Sequence, residues 1–300
     1  MAGQRGKKNR NVVNGWLVLD KPVGLTSTDA LTRVKRILNP QKAGHAGTLD
    51  PLASGCLPLA FGEATKTVPY IMDGRKVYRF TVTWGAQTAT DDTEGAVTAT
   101  SDVRPDAEAI REVLPEFTGV IEQVPPQFSA IKVDGARAYD LAREGETVEL
   151  AAREIDVHRL ELVDCPDADT AVFETECGKG TYVRALARDM GRRLGTCGHV
   201  TTLRRLLVGP FGEDDMITLT ELRQMADEAA DIADVISDLA PIETALESLM
   251  EIPVSLNDEA RLRHGQGVIL RGRDAPVLSG DVYATAQGRL VAICEVERGR

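Results

Sequence analysis

The stretch Gly44-His45-Ala46-Gly47-Thr48-Leu49-Asp50-Pro51-Leu52-Ala53-Ser54-Gly55 constrains this chain more than any other. Its three glycines interrupt both helical and strand periodicity, and they permit positive φ or a close approach of backbone to another group. Pro51 fixes its own φ and steers Asp50 away from helical backbone angles. The segment therefore reads as an ordered loop, with apolar Leu49 and Leu52 able to anchor it while Asp50 projects. A carboxylate on a stiff, partly apolar loop suits covalent or acid–base chemistry. The same pattern also describes a turn aspartate that bonds its own backbone, and the loop by itself leaves both readings open.

Around this loop the chain alternates between two periodicities. Gly15 to Asp20 is a short apolar run closed by Lys21-Pro22, which predicts a strand. Ser27 or Thr28 is placed to cap a helix carrying Leu31, Val34, Ile37 and Leu38 at helical spacing. A short helix is expected near Thr65 to Met72, a half-buried strand from Val77 to Trp84 with Asp91-Asp92-Thr93-Glu94-Gly95 as turn punctuation after it, and a helix from Pro105 to Phe117 with proline in its first turn. Pro125-Pro126 breaks the chain before a short strand and a helix around Ala138 to Arg143, and strands follow at about 155–163 and 170–177. Thr181 to Leu194 sets Val183, Leu186, Ala187 and Met190 on one helical face. Leu219 to Ala229 reads as a helix, and Asp234 to Met250 as a further helical tract ended before Pro253. Beyond it, Val282 to Ala286 and Leu290 to Val296 are short apolar runs about a Gln287-Gly288 turn. The order gives an α+β chain with a β appendix: a disordered basic tail (1–13), a main domain (14–250) and a small C-terminal module (251–300).

Composition narrows the partners. No run of eighteen apolar residues is present, so no membrane helix is expected, and the basic N-terminus lacks the apolar core of a signal peptide. Five scattered cysteines without a CxxC pair suit a reducing cytoplasm and suggest neither disulfides nor zinc. The four histidines share no helical spacing, so no metal site is expected. Net charge is −11, but residues 213–259 hold fourteen acids against one base, a net −13 that leaves +2 on the remainder. Residues 177–210 carry seven bases (Lys179, Arg184, Arg188, Arg192, Arg193, Arg204, Arg205) against Asp189 alone. That block fits an RNA-binding face or, equally, a solvated helix face.

Six ordered motifs resemble the TruB-type pseudouridine synthases. They are the Gly44–Gly55 string, Leu19-Asp20-Lys21-Pro22-Val23-Gly24, Gly62-Glu63-Ala64-Thr65-Lys66, Lys76-Val77-Tyr78-Arg79-Phe80, the stretch from Pro125-Pro126 to Tyr139, and Lys179-Gly180-Thr181-Tyr182-Val183-Arg184. Together they cover about residues 14–212. The resemblance implies a pseudouridine synthase fold: a mainly antiparallel mixed β-sheet flanked by helices and loops, with a small PUA-like RNA-binding module at the C-terminus. It implies conversion of uridine 55 to pseudouridine in the T loop of tRNAs, in the cytoplasm, by a monomer that needs no cofactor, no metal and no protein partner. The acidic 213–259 region is expected to face away from the tRNA.

The chemistry agrees with those residue types. Breaking N1–C1′, turning the base and joining C5 to C1′ consumes nothing, and positive charge developing at C1′ calls for a nearby carboxylate. Asp50 matches the family's catalytic aspartate. Tyr78 matches the tyrosine that stacks on the extruded base. Tyr182 and Arg184 match positions lining the same pocket, where a guanidinium would orient Asp50. His45 resembles the histidine that enters the T loop, Leu203 an apolar contact to the target uracil, and Lys66 a lysine near the loop. Three other readings are a non-catalytic RNA-binding or RNA-chaperone module, a hydrolytic nucleosidase with a second carboxylate, and a synthase of a guide-RNA particle.

Overall fold

The computed structural model describes residues 10–129, 132–133, 136–137, 150–270 and 279–297. The tail up to residue 9, the helix expected around Ala138–Arg143, and Arg271, Arg273, Arg298 and Arg300 lie outside them. Strands β1 (Gly15–Lys21), β2 (Ala43–His45), β3 (Ala53–Phe61) and β4 (Lys76–Trp84) are followed by a β5 (Ala86–Thr88) and β6 (Val97–Thr100) ribbon. Next come β7 (Gly119–Gln123), the small β8 (Lys132–Val133) and β9 (Ala136–Arg137) pair, then β10 (Arg153–Asp164), β11 (Thr170–Cys177), β12 (Gly198–Val208) and β13 (Met216–Ile217). Nine of these form one sheet in the order β13-β1-β3-β12-β4-β11-β10-β7, with β2 on β3. Only β1–β13 and β3–β12 run parallel within it. The chain is α+β, as its element pattern implies.

The alternation seen in the sequence sets the core. In β11 every second residue is buried, and Phe173 stacks on Phe80 of β4 at 5.4 Å and meets Trp84 edge-on at 6.3 Å. Helix α1 (Ser27–Leu38) buries Ala30, Leu31, Val34 and Leu38. Its cap is Thr26, whose hydroxyl accepts from the Asp29 N–H at 3.0 Å, not Ser27 or Thr28. The Ser27 hydroxyl is engaged elsewhere, on Leu49. After the 3-10 turn Gly62–Lys66 and α2 (Val68–Asp73), α3 (Ala107–Val113) starts from an Asp106 cap and tightens to 3-10 geometry at Leu114–Phe117, where Pro115 cannot supply an N–H. Helix α4 (Val183–Arg193) carries the apolar face read from its sequence.

Several strands were not legible, and two of them lie at the centre of the sheet. β3 runs straight out of the glycine-rich loop as an almost wholly buried apolar segment with Pro58 in it. A proline argues against a central strand, but Pro58 sits where β2 pairing ends, and its carbonyl still accepts from Ala46 at 2.9 Å. β12 is central, between β3 and β4, although its Arg204-Arg205 pair suggested surface.

The acidic region forms α5 (Leu219–Glu228) and α6 (Ile232–Ser237); the single tract expected over Asp234–Met250 is broken at Pro241 and resumes as a 3-10 turn, Ile242–Leu246. The last sheet joins β14 (Met250–Pro253), β15 (Gly280–Ala286) and β16 (Arg289–Val296) over Ile252, Val282 and Val296, beside α7 (Leu256–Arg263). It touches α2 through Tyr70 Oη–Asp281 Oδ2 at 3.0 Å and the Ile242–Leu246 turn through the Leu290 N–H, which donates to Glu243 Oε1 at 3.2 Å. Among the described residues no helix is long and apolar enough to cross a membrane.

Gly55 is where the fold tolerates least. It holds φ +97°, and a Cβ there would lie 2.2 Å from the Arg205 carbonyl oxygen. Gly55→Ala is therefore expected to cost roughly 2 kcal/mol or more, read as a lower urea midpoint; a midpoint equal to the parent's would show that β3 and β12 can separate cheaply.

Candidate active site

The loop between β2 and β3 is pinned from three sides. The Ser27 hydroxyl donates to the Leu49 carbonyl at 3.1 Å and accepts from the Leu49 N–H at 2.8 Å. The Gly24 N–H donates to Pro51 O at 2.7 Å. From below, Arg205 on β12, 1 % exposed, donates Nε to Cys56 O at 2.8 Å and Nη2 to Gly47 O at 3.1 Å. A side chain at Gly47, which holds φ +81°, would press on that guanidinium at 3.2 Å. Leu49 and Leu52 are buried in the core, which leaves Asp50 pointing outward with a side chain 38 % exposed.

The Asp50 carboxylate is met by Arg184, the second residue of α4. Its Nε lies 2.9 Å from Asp50 Oδ2. The guanidinium is itself buried and held on its other edges: Nη1 donates to Thr90 O at 2.8 Å and faces Asp92 Oδ2 at 3.4 Å, and Nη2 donates to Phe128 O at 2.9 Å. Burying a cation costs several kcal/mol unless it is paired and hydrogen-bonded, and here two carboxylates and two carbonyls supply that. The start of α4 is fixed by Gln123, whose side-chain amide accepts from the Tyr182 N–H at 2.9 Å and donates to the Tyr182 carbonyl at 3.1 Å.

Asp50 opens into a cleft of about 310 Å³ lined by Tyr78, Tyr182, Leu203, Arg184, Lys76 and Arg205 among others. That volume is at the small end of the ~300–1,000 Å³ range of ligand pockets. Tyr78 projects from β4 beside Arg205; burial pushes its phenol above the usual value, and the Arg205 guanidinium opposes part of that rise. Burial likewise raises Tyr182. Leu203 supplies an apolar wall, 6 % exposed. Two buried lysines flank the site. Lys21 donates to the Pro22 and Leu25 carbonyls at 3.0 and 2.7 Å, and burial lowers it to about 8, with the Asp50 charge opposing the fall. Lys76 donates to the Met72 carbonyl and, at 2.6 Å, to Gly74 O, and burial lowers it to about 8 as well.

The sequence candidates thus divide. Asp50, Tyr78, Tyr182, Arg184 and Leu203 share one cleft. His45 ends β2 and is not part of the cleft lining; burial, then the Arg205 charge, lowers its pKa, and its buried Nδ1 has no hydrogen-bond partner. Lys66 also lies off the cleft, exposed on the 3-10 turn after β3 and paired with Glu63 at 2.5 Å, because i,i+3 spacing brings those two together. The basic block is only partly a surface: Arg184, Arg188 and Arg205 are interior. The other four bases, all at least partly exposed, are matched with Asp73 (Lys179), Asp189 (Arg192), Glu116 (Arg193) and Asp20 with Glu213 (Arg204). Asp92, Arg205 and Gln123 were missed as site residues. Asp91-Asp92 read as turn punctuation, and nothing local marks an arginine in an apolar strand as interior. Among the described residues no group of His, Cys, Asp and Glu could hold a metal.

The comparisons with known proteins agree among themselves. A model described as TruB family pseudouridylate synthase (N terminal domain) matches residues 35–183, and one described as tRNA pseudouridylate synthase B C-terminal domain matches residues 184–247. Their junction falls inside α4, so it divides no structural unit. The tRNA pseudouridine synthase B of Bradyrhizobium diazoefficiens is 62% identical over 298 residues, covering 99% of this chain and 86% of its own. That of Agrobacterium fabrum is 58% identical over 299 residues, covering 99% and 95%. Among solved structures, a Cbf5-Nop10-Gar1 complex aligns at TM-score 0.74 and 28% identity over 96% of this chain and 83% of that one. An H/ACA RNP bound to a substrate RNA containing 2'-deoxyuridine aligns at 0.71 and 26% over 97% and 84%.

Lys76 gives this site a pH signature. Its folded amine releases its proton near pH 8 and its unfolded one near the ordinary lysine value of 10.5. Between those values the unfolded state binds more protons, so this group's contribution to stability rises with pH. The unfolding free energy of the parent minus that of Lys76→Met is expected to grow by about 1–2 kcal/mol from pH 7.5 to 9.5. A flat difference in urea titrations would mean that the amine is not held charged against burial.

Proposed function

The chain belongs to the TruB family of pseudouridylate synthases and forms pseudouridine in tRNA; from that premise we propose that its target is uridine 55 of the T loop, with Asp50 as the sole catalytic carboxylate and no cofactor. The observation that carries the proposal is Asp50 itself: half-exposed at the floor of a cleft, on a loop pinned at Leu49, Pro51 and Gly47, with one oxygen fixed by Arg184. Among the described residues nothing donates a hydrogen bond to its other oxygen, Oδ1, which can face C1′ of an extruded nucleotide.

On this reading the T loop gives up its uridine, at a cost of a few kcal/mol of unstacking, and the base enters between Tyr78 and Leu203. As N1–C1′ breaks, the Asp50 carboxylate stabilises the positive charge at C1′. The uracil, holding the N1–C1′ electron pair, stays in the cleft and turns to present C5, which bonds to C1′; the C5 proton then leaves to solvent and N1 takes one up. Tyr78, its phenol raised by burial, holds the ring by stacking and takes part in that last proton movement. The partner is tRNA alone, met by a cytoplasmic monomer, with the three-stranded C-terminal sheet as an added RNA contact. His45 and Lys66, both off the cleft, are left to contact the surrounding loop and backbone. A nucleosidase would need a second carboxylate to activate water; Asp92 is 2 % exposed and spent on Arg184, which disfavours that reaction.

Asp50→Asn is expected to abolish tritium release from uracil-labelled T-stem-loop RNA while keeping RNA affinity within a few-fold; normal release would remove Asp50 from the chemistry, and free uracil in the parent reaction would point to hydrolysis. Arg184→Lys is expected to lose on the order of a hundredfold in rate, since a point charge cannot satisfy four directions at once. Parental turnover in that variant would refute the pairing, and mapping the modified position in an unmodified transcript tests the choice of uridine 55.

A further inference from the structure

Beside Arg184 lies a second buried ion pair that does not touch the catalytic cleft. Arg188, one turn along α4, is 7 % exposed and Asp91 5 %. Arg188 Nη1 lies 3.0 Å from Asp91 Oδ2, its Nη2 donates to Val124 O at 2.7 Å, and Nε and Nη2 hold Asp189 at 2.8 and 3.0 Å. The two arginines work in parallel. Arg184 takes the carbonyls of Thr90 and Phe128, while Arg188 takes the carboxylate of Asp91 and the carbonyl of Val124. Each of the two loops facing α4, around residues 88–92 and 124–128, is therefore gripped twice.

The grip falls on a strained turn. Asp91 is a non-glycine residue at φ +59°, a conformation that costs about 1–2 kcal/mol for most side chains and less for Asp or Asn. Around it, the Asp91 N–H donates to Thr88 O at 3.2 Å, Val200 N–H donates to Asp91 O at 3.0 Å, and the Thr88 hydroxyl donates to Asp92 O at 2.6 Å. The turn's output is the pair of acceptors that Arg184 meets, Thr90 O and Asp92 Oδ2. On its other side Asp91 and Arg188 border a separate cavity of about 630 Å³ with Gln87, Thr98, Val124 and Gln127. A turn released from Arg188 has room to relax in that direction, away from Arg184.

We propose that the Arg188–Asp91 pair is a positioning device for the isomerisation: it fixes the Thr90–Asp92 turn, the turn fixes the Arg184 guanidinium, and the guanidinium fixes the direction of Asp50. The proposal rests on the reading in which Asp50 acts at C1′. Neither residue reaches the base, so both are positioning residues, and their loss should appear in the chemical step rather than in RNA binding.

The test replaces the pair with neutral groups of similar size, Arg188→Met with Asp91→Asn. Removing both partners of a buried ion pair is far less destabilising than removing one, and asparagine tolerates the left-handed backbone. The expected result is a thermal midpoint within a few degrees of the parent, a dissociation constant for T-stem-loop RNA within twofold, and a single-turnover rate reduced about tenfold. A parental rate would overturn the proposal and leave the pair a stability element; a loss carried by weaker RNA binding would overturn it too. Should the double variant fail to fold, Asp91→Asn alone keeps the shape and the Arg188 charge, and a rate unchanged from the parent would then overturn it. Failure of the underlying reading is a separate outcome: it requires Asp50→Asn to turn over, whereas failure of the positioning role requires Asp50→Asn to be dead and the Arg188–Asp91 variants fully active.

Discussion

The guanidinium of Arg184 has to be buried, and much of the site's architecture follows from what that requires. Taking the charge out of water costs several kcal/mol unless most of its donors are used in good geometry. Helix α4 brings it to the sheet, Gln123 fixes the residue before the helix, and the loops at Thr90–Asp92 and Phe128 bring acceptors from two directions. The remaining edge, Nε, is left for Asp50. A side chain anchored this way has little rotamer freedom left to lose, so the carboxylate it meets is oriented before any RNA arrives.

Rigidity on the Asp50 side comes from elsewhere in the chain. Ser27 at the start of α1 closes on both the N–H and C=O of Leu49, and so acts on the loop rather than as the helix cap its position suggested. Arg205 reaches through the sheet to Gly47 and Cys56, which is possible because β12 runs parallel to β3 at Gly55 with no side chain between them. Gly47 and Gly55 are thus explained by the same arginine, one through its side chain and the other through its backbone. The glycine-rich signature describes space for Arg205 as much as freedom of the loop.

The parts of this structure legible in the sequence were those carried by local pattern. Alternation in β4 and β11, the apolar face of α4, and the anchoring leucines on either side of Asp50-Pro51 all follow from neighbours within a few residues. What was illegible depends on partners far along the chain. Arg205 looked like half of a surface dibasic pair, and only the placement of β12 between two strands makes it interior. Asp92 looked like turn punctuation, yet its carboxylate meets an arginine ninety-two residues later. Charge counting misplaced Arg184, Arg188 and Arg205 for the same reason: a run of arginines suggests a surface until its acids and carbonyls, contributed from other elements, are placed. Lys66 sits in a family-like motif, and its motif context said nothing of whether it faces the cleft.

The count of charges around Arg184 bears on how one carboxylate could serve the proposed reaction. An isolated Arg–Asp pair is neutral, and a neutral pair offers little to a positive charge developing at C1′. Here one guanidinium lies between Asp50 and the buried Asp92. The cluster of three is net negative, and because Asp92 is enclosed, the exposed end of that negative charge is Asp50. Arg184 can therefore orient Asp50 without cancelling it, while Asp92 offsets the cation from behind. In a water-poor cleft such a fixed arrangement needs no reorganisation when charge appears on the sugar. Lys21 and Lys76, each lowered to about 8 by burial, add positive charge nearby. Both are held by carbonyls on the flanking turns, Lys76 in the lining of the cleft and Lys21 close enough to Asp50 to feel its charge. The carboxylates and the cations around the cleft are thus held by other parts of the fold before any nucleotide enters.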